Sequence, residues 1–157
     1  MKIYVKTSLQ HGKGVFALKP IRKGEAVITF SGPRVHRTQL DSSDYHLQIA
    51  ADYYLGASGR EDDYVNHSCA PNSGFQGGLT LVALRDVEKG EEITWDYSTA
   101  IDEEDFSGFP CRCGAPVCRG AVVSFRYLPP DEQLRLQSWL LPYLQEKYFP
   151  GLLLRSG

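Results

Sequence analysis

A mostly β domain with a C-terminal helical segment is the fold class this sequence predicts, and three observations predict it. Short runs rich in β-branched and aromatic residues alternate with glycine- and proline-bearing turns as far as Tyr97. Pro129-Pro130-Asp131-Glu132 has the form of a helix start, and Leu134, Leu136, Trp139, Leu140 and Leu144 follow it as an apolar stripe. The 157 residues, 42% of them apolar, suffice for one hydrophobic core, and no repeat, heptad run or low-complexity stretch divides them.

In chain order, Ile3-Tyr4-Val5-Lys6 reads as a short strand. Gln10-His11-Gly12-Lys13-Gly14 is a turn opening the apolar run Val15-Phe16-Ala17, where glycine permits positive φ or close backbone approach. Pro20 to Glu25 is a turn, Ala26 to Phe30 a strand, and Val35 to Ser43 a polar loop with one helical turn. Tyr45-His46-Leu47-Gln48-Ile49 alternates as a half-buried strand does, and Tyr53-Tyr54-Leu55-Gly56 is the next. Leu79 to Leu84 and Ile93-Thr94-Trp95 are strands flanking the turn at Asp86 to Glu91. Thr99 to Phe109 is acidic and reads as a lid or solvent-facing linker. Pro142 breaks or kinks the final helix, and Tyr148 to Leu154 is apolar enough to pack back on the domain or to make a dimer contact.

Seventeen basic against nineteen acidic side chains give a net charge of -2, so no positive field exists to bind nucleic acid through its phosphates. A basic protein partner is tolerated better than an acidic one. No apolar stretch approaches the roughly 20 residues of a membrane-spanning helix, and Met1-Lys2-Ile3-Tyr4 lacks the apolar core of a secretory signal. A cytoplasmic protein, monomer or homodimer, is the expectation, with nuclear entry or specialised export left open. Of the four cysteines, Cys111, Cys113 and Cys118 cluster; a disulfide between Cys111 and Cys113 would be strained, and reduced thiolates around a metal fit better.

Three stretches carry the chemistry. They are Tyr64-Val65-Asn66-His67-Ser68-Cys69-Ala70-Pro71-Asn72, then Glu91-Glu92-Ile93-Thr94-Trp95-Asp96-Tyr97, then Cys111-Arg112-Cys113-Gly114-Ala115-Pro116-Val117-Cys118 followed by Arg119-Gly120. Together, in this order, they resemble the SET-domain protein lysine methyltransferases with a cysteine-rich post-SET tail. The resemblance runs from Gly12 to about Gly120. It implies a fold of small β-sheets with a pseudoknot, in which the chain through Tyr97 threads a loop closed near Asn66 to Asn72. It also implies a division into a catalytic domain at 1–110, a zinc segment at 111–120 and a helical extension at 121–157 packed on the domain.

The resemblance implies S-adenosylmethionine as cofactor, cradled by His11, Gly12, Lys13 and Gly14 and by Asn66 and His67, largely through backbone groups. Tyr97 matches the family's essential tyrosine, which orients the lysine amine, and Tyr45 matches a tyrosine walling the lysine channel. Trp95 stands where the family commonly has phenylalanine or tyrosine, a position that influences how many methyl groups fit; the product state stays open. Phe75 is a further candidate for the channel wall, with core packing equally open. Many members carry arginine directly before the aromatic that precedes the asparagine-histidine pair. This chain has Asp63 there, so a basic side chain enters that space only if Arg60 reaches it.

Zinc takes four sulfur or nitrogen ligands in a tetrahedron. Cys111, Cys113 and Cys118 supply three, Cys69 is the remaining sulfur, and the post-SET pattern uses this combination. His67 competes by residue type, but the resemblance assigns it to the cofactor and the threaded segment. The acceptor must be a neutral amine, and a free lysine with pKa about 10.4 is handicapped by about 4–5 kcal/mol at pH 7. A narrow aromatic channel beside a positive sulfonium lowers that pKa by desolvation and charge repulsion, without a strong general base. The leading expectation is therefore a methyltransferase acting on lysine in a protein, a histone or a small basic protein. A catalytically silent peptide-binding module of the same fold is the alternative, and Tyr97 argues against it.

Overall fold

The computed structural model describes residues 1–42 and 45–155, with side chains described through residue 152. Among these residues, twelve short strands run in the order β1 (Ile3–Thr7), β2 (Lys13–Ala17), β3 (Ala26–Thr29), β4 (Arg34–His36), β5 (Leu47–Gln48), β6 (Tyr53–Leu55), β7 (Asn66–His67), β8 (Ser73–Phe75), β9 (Thr80–Ala83), β10 (Glu92–Trp95), β11 (Phe109–Pro110) and β12 (Ala121–Val122). Helices α1 (Pro130–Leu136), α2 (Pro142–Tyr148) and α3 (Pro150–Arg155) close the chain. Each helix opens on a proline, which is at home in a first turn whose N–H groups lack intrahelical partners.

The strands form four small sheets ordered β1-β2-β10-β7, β3-β9-β8, β4-β6-β5 and β11-β12. The first of them positions the site. Its β10 lies between β2, which it pairs antiparallel through Glu92–Phe16 and Ile93–Val15, and β7, which it pairs parallel through Thr94–Asn66 and Trp95–His67. The loop after β7 then holds the same strand by side chains. Asn72 donates to the Glu92 carbonyl at 2.7 Å and accepts from the Thr94 N–H at 2.9 Å. Ser73 donates to the Thr94 carbonyl at 2.7 Å. These are contacts of the kind a threaded segment requires, and they bury Ile93, Thr94 and Trp95.

The main core joins Val15, Ile21, Phe75, Leu81, Val87 and Ile93 with Leu141 of the extension. A second cluster, Phe125, Leu128, Leu136, Leu140 and Leu144, packs the C-terminal segment on itself, with Tyr148 and Phe149 against Phe125. Leu134, expected in the apolar stripe, is instead exposed, and Leu141 occupies the interior because the chain breaks before Pro142 and resets the helical phase. Tyr148 and Phe149 thus pack on Phe125 of the same segment, and Tyr148 also reaches back to Asp102 through its hydroxyl; the side chains of Leu153 and Leu154 lie outside the described residues.

Two expectations need correction. The loop expected at Val35 to Ser43 starts as strand β4, paired with β6, before a 3-10 turn at Arg37–Gln39; Ser43 is outside the described residues. The acidic stretch expected as a lid or linker is internal at its start, with Thr99, Ala100 and Asp102 buried. Its acidity misled because Asp102 is matched by Arg126 and Lys147, which lie far along the chain.

Candidate active site

Tyr97 follows β10 in a 3-10 turn capped by Asp96, whose carboxylate accepts from the Ser98 N–H. Two contacts fix the ring. Its backbone N–H donates to His67 Nδ1 at 3.1 Å, and its hydroxyl donates to the Val65 carbonyl at 2.9 Å. Because Nδ1 accepts, the imidazole carries its proton on Nε2, which faces Cys69 Sγ at 3.3 Å. Burial lowers the His67 pKa to about 4, despite the opposing pull of Asp96, which keeps the ring neutral. Burial likewise pushes the Tyr97 phenol well above its ordinary value, so it stays a protonated donor at neutral pH.

Two cavities meet at this side chain. One, of about 90 Å³, is walled by Tyr45, Leu47, Val65, Trp95 and Tyr97, with Ala100 and Ile101 on a further side. The other, of about 280 Å³, is lined by His11, Asn66, His67, Tyr97, Phe109 and the chain at Cys111 to Cys113. Tyr97 alone among the described residues lines both.

The expected channel residues fall unevenly. Tyr45 stands partly exposed at the mouth with its ring edge-on to Tyr64. Trp95 forms a wall and lies 4.7 Å from the Tyr97 ring between centroids. Its indole N–H donates to the same Val65 carbonyl at 3.3 Å, so it turns no polar group toward the cavity. Phe75, expected as a candidate for the wall, lies behind it. It is fully buried, packs against Trp95 and Phe30, and does not line the cavity. Arg60 does not reach this space either. Asp62 and Asp63 line it, and Asp63 accepts from the N–H groups of Ser58 and Gly59, organising the turn where a basic side chain was looked for.

On the other side, His11, Asn66 and His67 line the larger cavity, whereas Gly12, Lys13 and Gly14 stand behind it. Gly12 takes φ of 50°, which closes the turn between β1 and β2. Gly14 serves a different need, since a Cβ there would lie 2.2 Å from Glu92 Oε1 and 3.1 Å from Asn66 Nδ2. Asn66 spends its amide nitrogen on the Lys13 carbonyl at 3.0 Å and on Glu92 at 2.7 Å, and Ser8 holds the other Glu92 oxygen at 2.9 Å. Glu92 and the Val65 carbonyl are supports that sequence reasoning missed. The glutamate lay within a quoted motif, but nothing in its spacing says which way it points.

The four cysteines are free thiols whose sulfurs all lie within 4.8 Å of one another. Zinc–sulfur bonds of about 2.3 Å in a tetrahedron would set neighbouring sulfurs about 3.8 Å apart. Cys69 to Cys111 is 3.8 Å and Cys118 to Cys111 is 3.7 Å, so the donor set fits a metal ion. Backbone N–H groups already face two sulfurs, Cys69 N–H toward Cys113 and Arg119 N–H toward Cys69. Burial raises the Cys69 and Cys111 thiols; at Cys113 burial also opposes ionisation, but the N–H groups of Cys69 and Ala115 outweigh it and lower its pKa to about 6.

The segment is locked to the turn carrying Tyr97 by Arg119. Its guanidinium grips Asp96 with two bonds of 2.8 Å and reaches Glu132 of α1 at 3.3 Å. Both members of the Asp96 pair are largely buried, a setting where removing one partner is strongly destabilising.

Known proteins resemble this chain in sequence and in fold. The SET domain model matches residues 12–98, more than half of the chain. The H3 lysine-4 specific histone-lysine N-methyltransferase of Schizosaccharomyces pombe is 33% identical over 130 residues, 70% of this chain and 14% of that protein. The variant-silencing SET domain-containing protein of Plasmodium falciparum is 31% identical over 138 residues, 73% of this chain and 5% of its own length. The chain therefore spans only a small part of these curated relatives. Among solved structures, KRYPTONITE in complex with mCHG DNA and SAH superposes with a TM-score of 0.64 at 24% identity, covering 77% of this chain and 29% of that one. The methyltransferase domain of human histone-lysine N-methyltransferase SETMAR gives 0.63 at 23% identity, covering 78% of this chain and 58% of that one. The matched motifs and the shared fold agree, and the chain belongs to the SET-domain family.

Proposed function

We propose that this chain transfers methyl groups from S-adenosylmethionine to lysine side chains of a protein, with zinc held by Cys69, Cys111, Cys113 and Cys118. The observation that carries the reading is the place of Tyr97 between two cavities. Methyl transfer is an in-line displacement, so donor and acceptor must approach one carbon from opposite sides. A site with two entrances and one shared hydroxyl suits that demand. The cofactor would sit in the larger cavity, against His11, Asn66 and His67 with the Gly12-Lys13-Gly14 turn behind them, and would supply an electrophilic methyl on a sulfonium. The KRYPTONITE complex contains SAH, which supports this choice.

On the acceptor side, Tyr45, Val65 and Trp95 strip water from the entering ammonium and favour its neutral form. The Tyr97 hydroxyl stands at the end of that path; its proton goes to the Val65 carbonyl and its oxygen accepts from the amine N–H, which orients the amine. Tyr97 acts as a hydrogen-bonding guide and not as a base, because its phenol stays protonated. No side chain needs to take the proton: as the channel begins to desolvate the ammonium, its proton passes to water at the mouth beside Tyr45, and the amine reaches Tyr97 neutral. The names of the relatives support a histone as substrate, and a small basic protein fits the same chemistry. Asp102 is internal, Glu103 bonds Tyr54 and Glu104 pairs with Arg126 at 3.7 Å, so Asp105 is what the acidic stretch most freely offers a basic partner.

The test is methyl incorporation from labelled cofactor into core histones, small basic bacterial proteins and the protein itself, with mass spectrometry of the product. Label on lysine is expected. Cofactor binding with no transfer to any protein would reject the enzyme reading and leave a silent peptide-binding module. Gly14→Ala checks the cofactor side. The new methyl must push Glu92 off Asn66, and cofactor affinity measured by titration should fall about tenfold with a stability loss of about 1 kcal/mol.

A further inference from the structure

The wall of the smaller cavity at Ala100 and Ile101 is held from behind by the C-terminal segment. The Thr99 carbonyl accepts from the Leu141 N–H at 3.1 Å, the Ala100 carbonyl from the Tyr143 hydroxyl, and the Ile101 carbonyl from the Phe125 N–H at 2.7 Å. Further on, Glu103 accepts from the Ser124 hydroxyl and Glu104 from the Tyr127 hydroxyl, both at 2.6 Å. Five carbonyls within six residues are thus taken by one distant stretch of chain, much as a strand is held by its neighbour.

Asp102 sits inside this seam with its side chain 3% exposed. Its carboxylate accepts from Lys147 at 2.7 Å, from the Tyr148 hydroxyl at 2.8 Å and from Arg126 at 3.3 and 3.4 Å. Its backbone N–H donates to Gln48 Oε1 at 2.8 Å, and Gln48 lines the same cavity from β5. One residue therefore links two sides of the channel to α2. None of the groups that bond Asp102 belongs to the turn before β2, to β7 or to the cysteine segment, which line the larger cavity.

We propose that Asp102 is a positioning residue for the substrate lysine: joined to Arg126, Lys147, Tyr148 and Gln48, it holds the Ala100–Ile101 wall at the width that aligns the amine on Tyr97. The proposal rests on the methyltransferase reading. It makes the α2 end of the C-terminal extension part of the acceptor site; the extension's contacts with the walls of the larger cavity, β12 on β11 and Glu132 on Arg119, run through other residues.

The experiment compares Asp102→Asn, the milder Tyr148→Phe, and Lys147→Arg, which keeps the charge. In Asp102→Asn, KM for a lysine peptide should rise about tenfold and KM for the cofactor should stay within about twofold. Tyr148→Phe should shift in the same direction by less, and Lys147→Arg should remain near wild type. A parallel rise in both KM values, or no change in either, overturns the proposal. Hydrogen exchange at the Ala100 and Ile101 amides, both bonded to the Tyr97 carbonyl, gives a readout independent of activity. About tenfold faster exchange there in Asp102→Asn, with β1 and β2 unchanged, supports the wall-holding role; unchanged exchange overturns it. A wild type that transfers no methyl group refutes the functional reading instead, and exchange still decides the role in the wall.

Discussion

Tyr97→Phe is expected to lower kcat by about two to three orders of magnitude while cofactor affinity and fold survive. The substitution removes one oxygen at the junction of the two cavities and leaves the ring, with its packing on Trp95 and His67, in place. Structural loss is small because the Val65 carbonyl keeps the Trp95 indole N–H as a partner. A single lost hydrogen bond is worth about 0.5–1.5 kcal/mol of stability, whereas a thousandfold rate loss is about 4 kcal/mol in the transition state. The gap between these two magnitudes makes the test discriminating. Steady-state kinetics with a cofactor titration measure both, and undiminished transfer by the variant would sink the assigned role of Tyr97.

Metal removal should abolish transfer before it unfolds the domain. The purified protein is expected to hold about one zinc per chain, and Cys111→Ser should release it. Cys69 and Cys111 are separated by 42 residues, and between Cys111 and Cys118 the described residues make few backbone bonds of their own. Without zinc the closure of that long loop is opposed by chain entropy and by four neighbouring thiols with little apolar surface between them. The wall of the cofactor cavity from Phe109 to Cys113 then opens. The core around Val15, Phe75 and Ile93 touches none of these sulfurs and should persist. Zinc analysis, far-UV dichroism and methyl transfer on the same sample separate the stages. Fully active protein with a metal content near zero would refute the zinc assignment.

Legibility in the sequence followed the range of the interaction that decides each feature. Strands β1, β3, β6, β9 and β10 could be read because each is a short apolar or β-rich run set among turn signals, and the apolar run of β2 could be read after its glycine turn. Tyr97, the Asn66-His67 pair and the cysteines could be read because each belongs to a contiguous motif. Strand β7 could not, being two residues long and defined only by its pairing with β10. Asp102 looked like solvent-facing acid because its cationic partners Arg126 and Lys147 arrive from the far end of the chain. Phe75 was placed between wall and core, and the choice depended on which side of Trp95 it would lie. Glu92 had no local signal at all; its orientation comes from Ser8 and Asn66, on two other strands' flanks.

The place of β10 in its sheet also governs how the molecule can be made. Strands β2 and β7 are synthesised first, yet neither pairs with the other, and each waits for a partner that emerges from the ribosome later. Until then both present open edges, with Val15 and Ala17 uncovered, which is an invitation to intermolecular pairing. The first sheet can start from the β1–β2 hairpin, but it is completed only when β10 arrives over long sequence separations, a topology that folds slowly. Residues 92–97 therefore complete the first sheet and carry Tyr97 to the junction of the two cavities, so a chain that has not closed this sheet has not assembled its site.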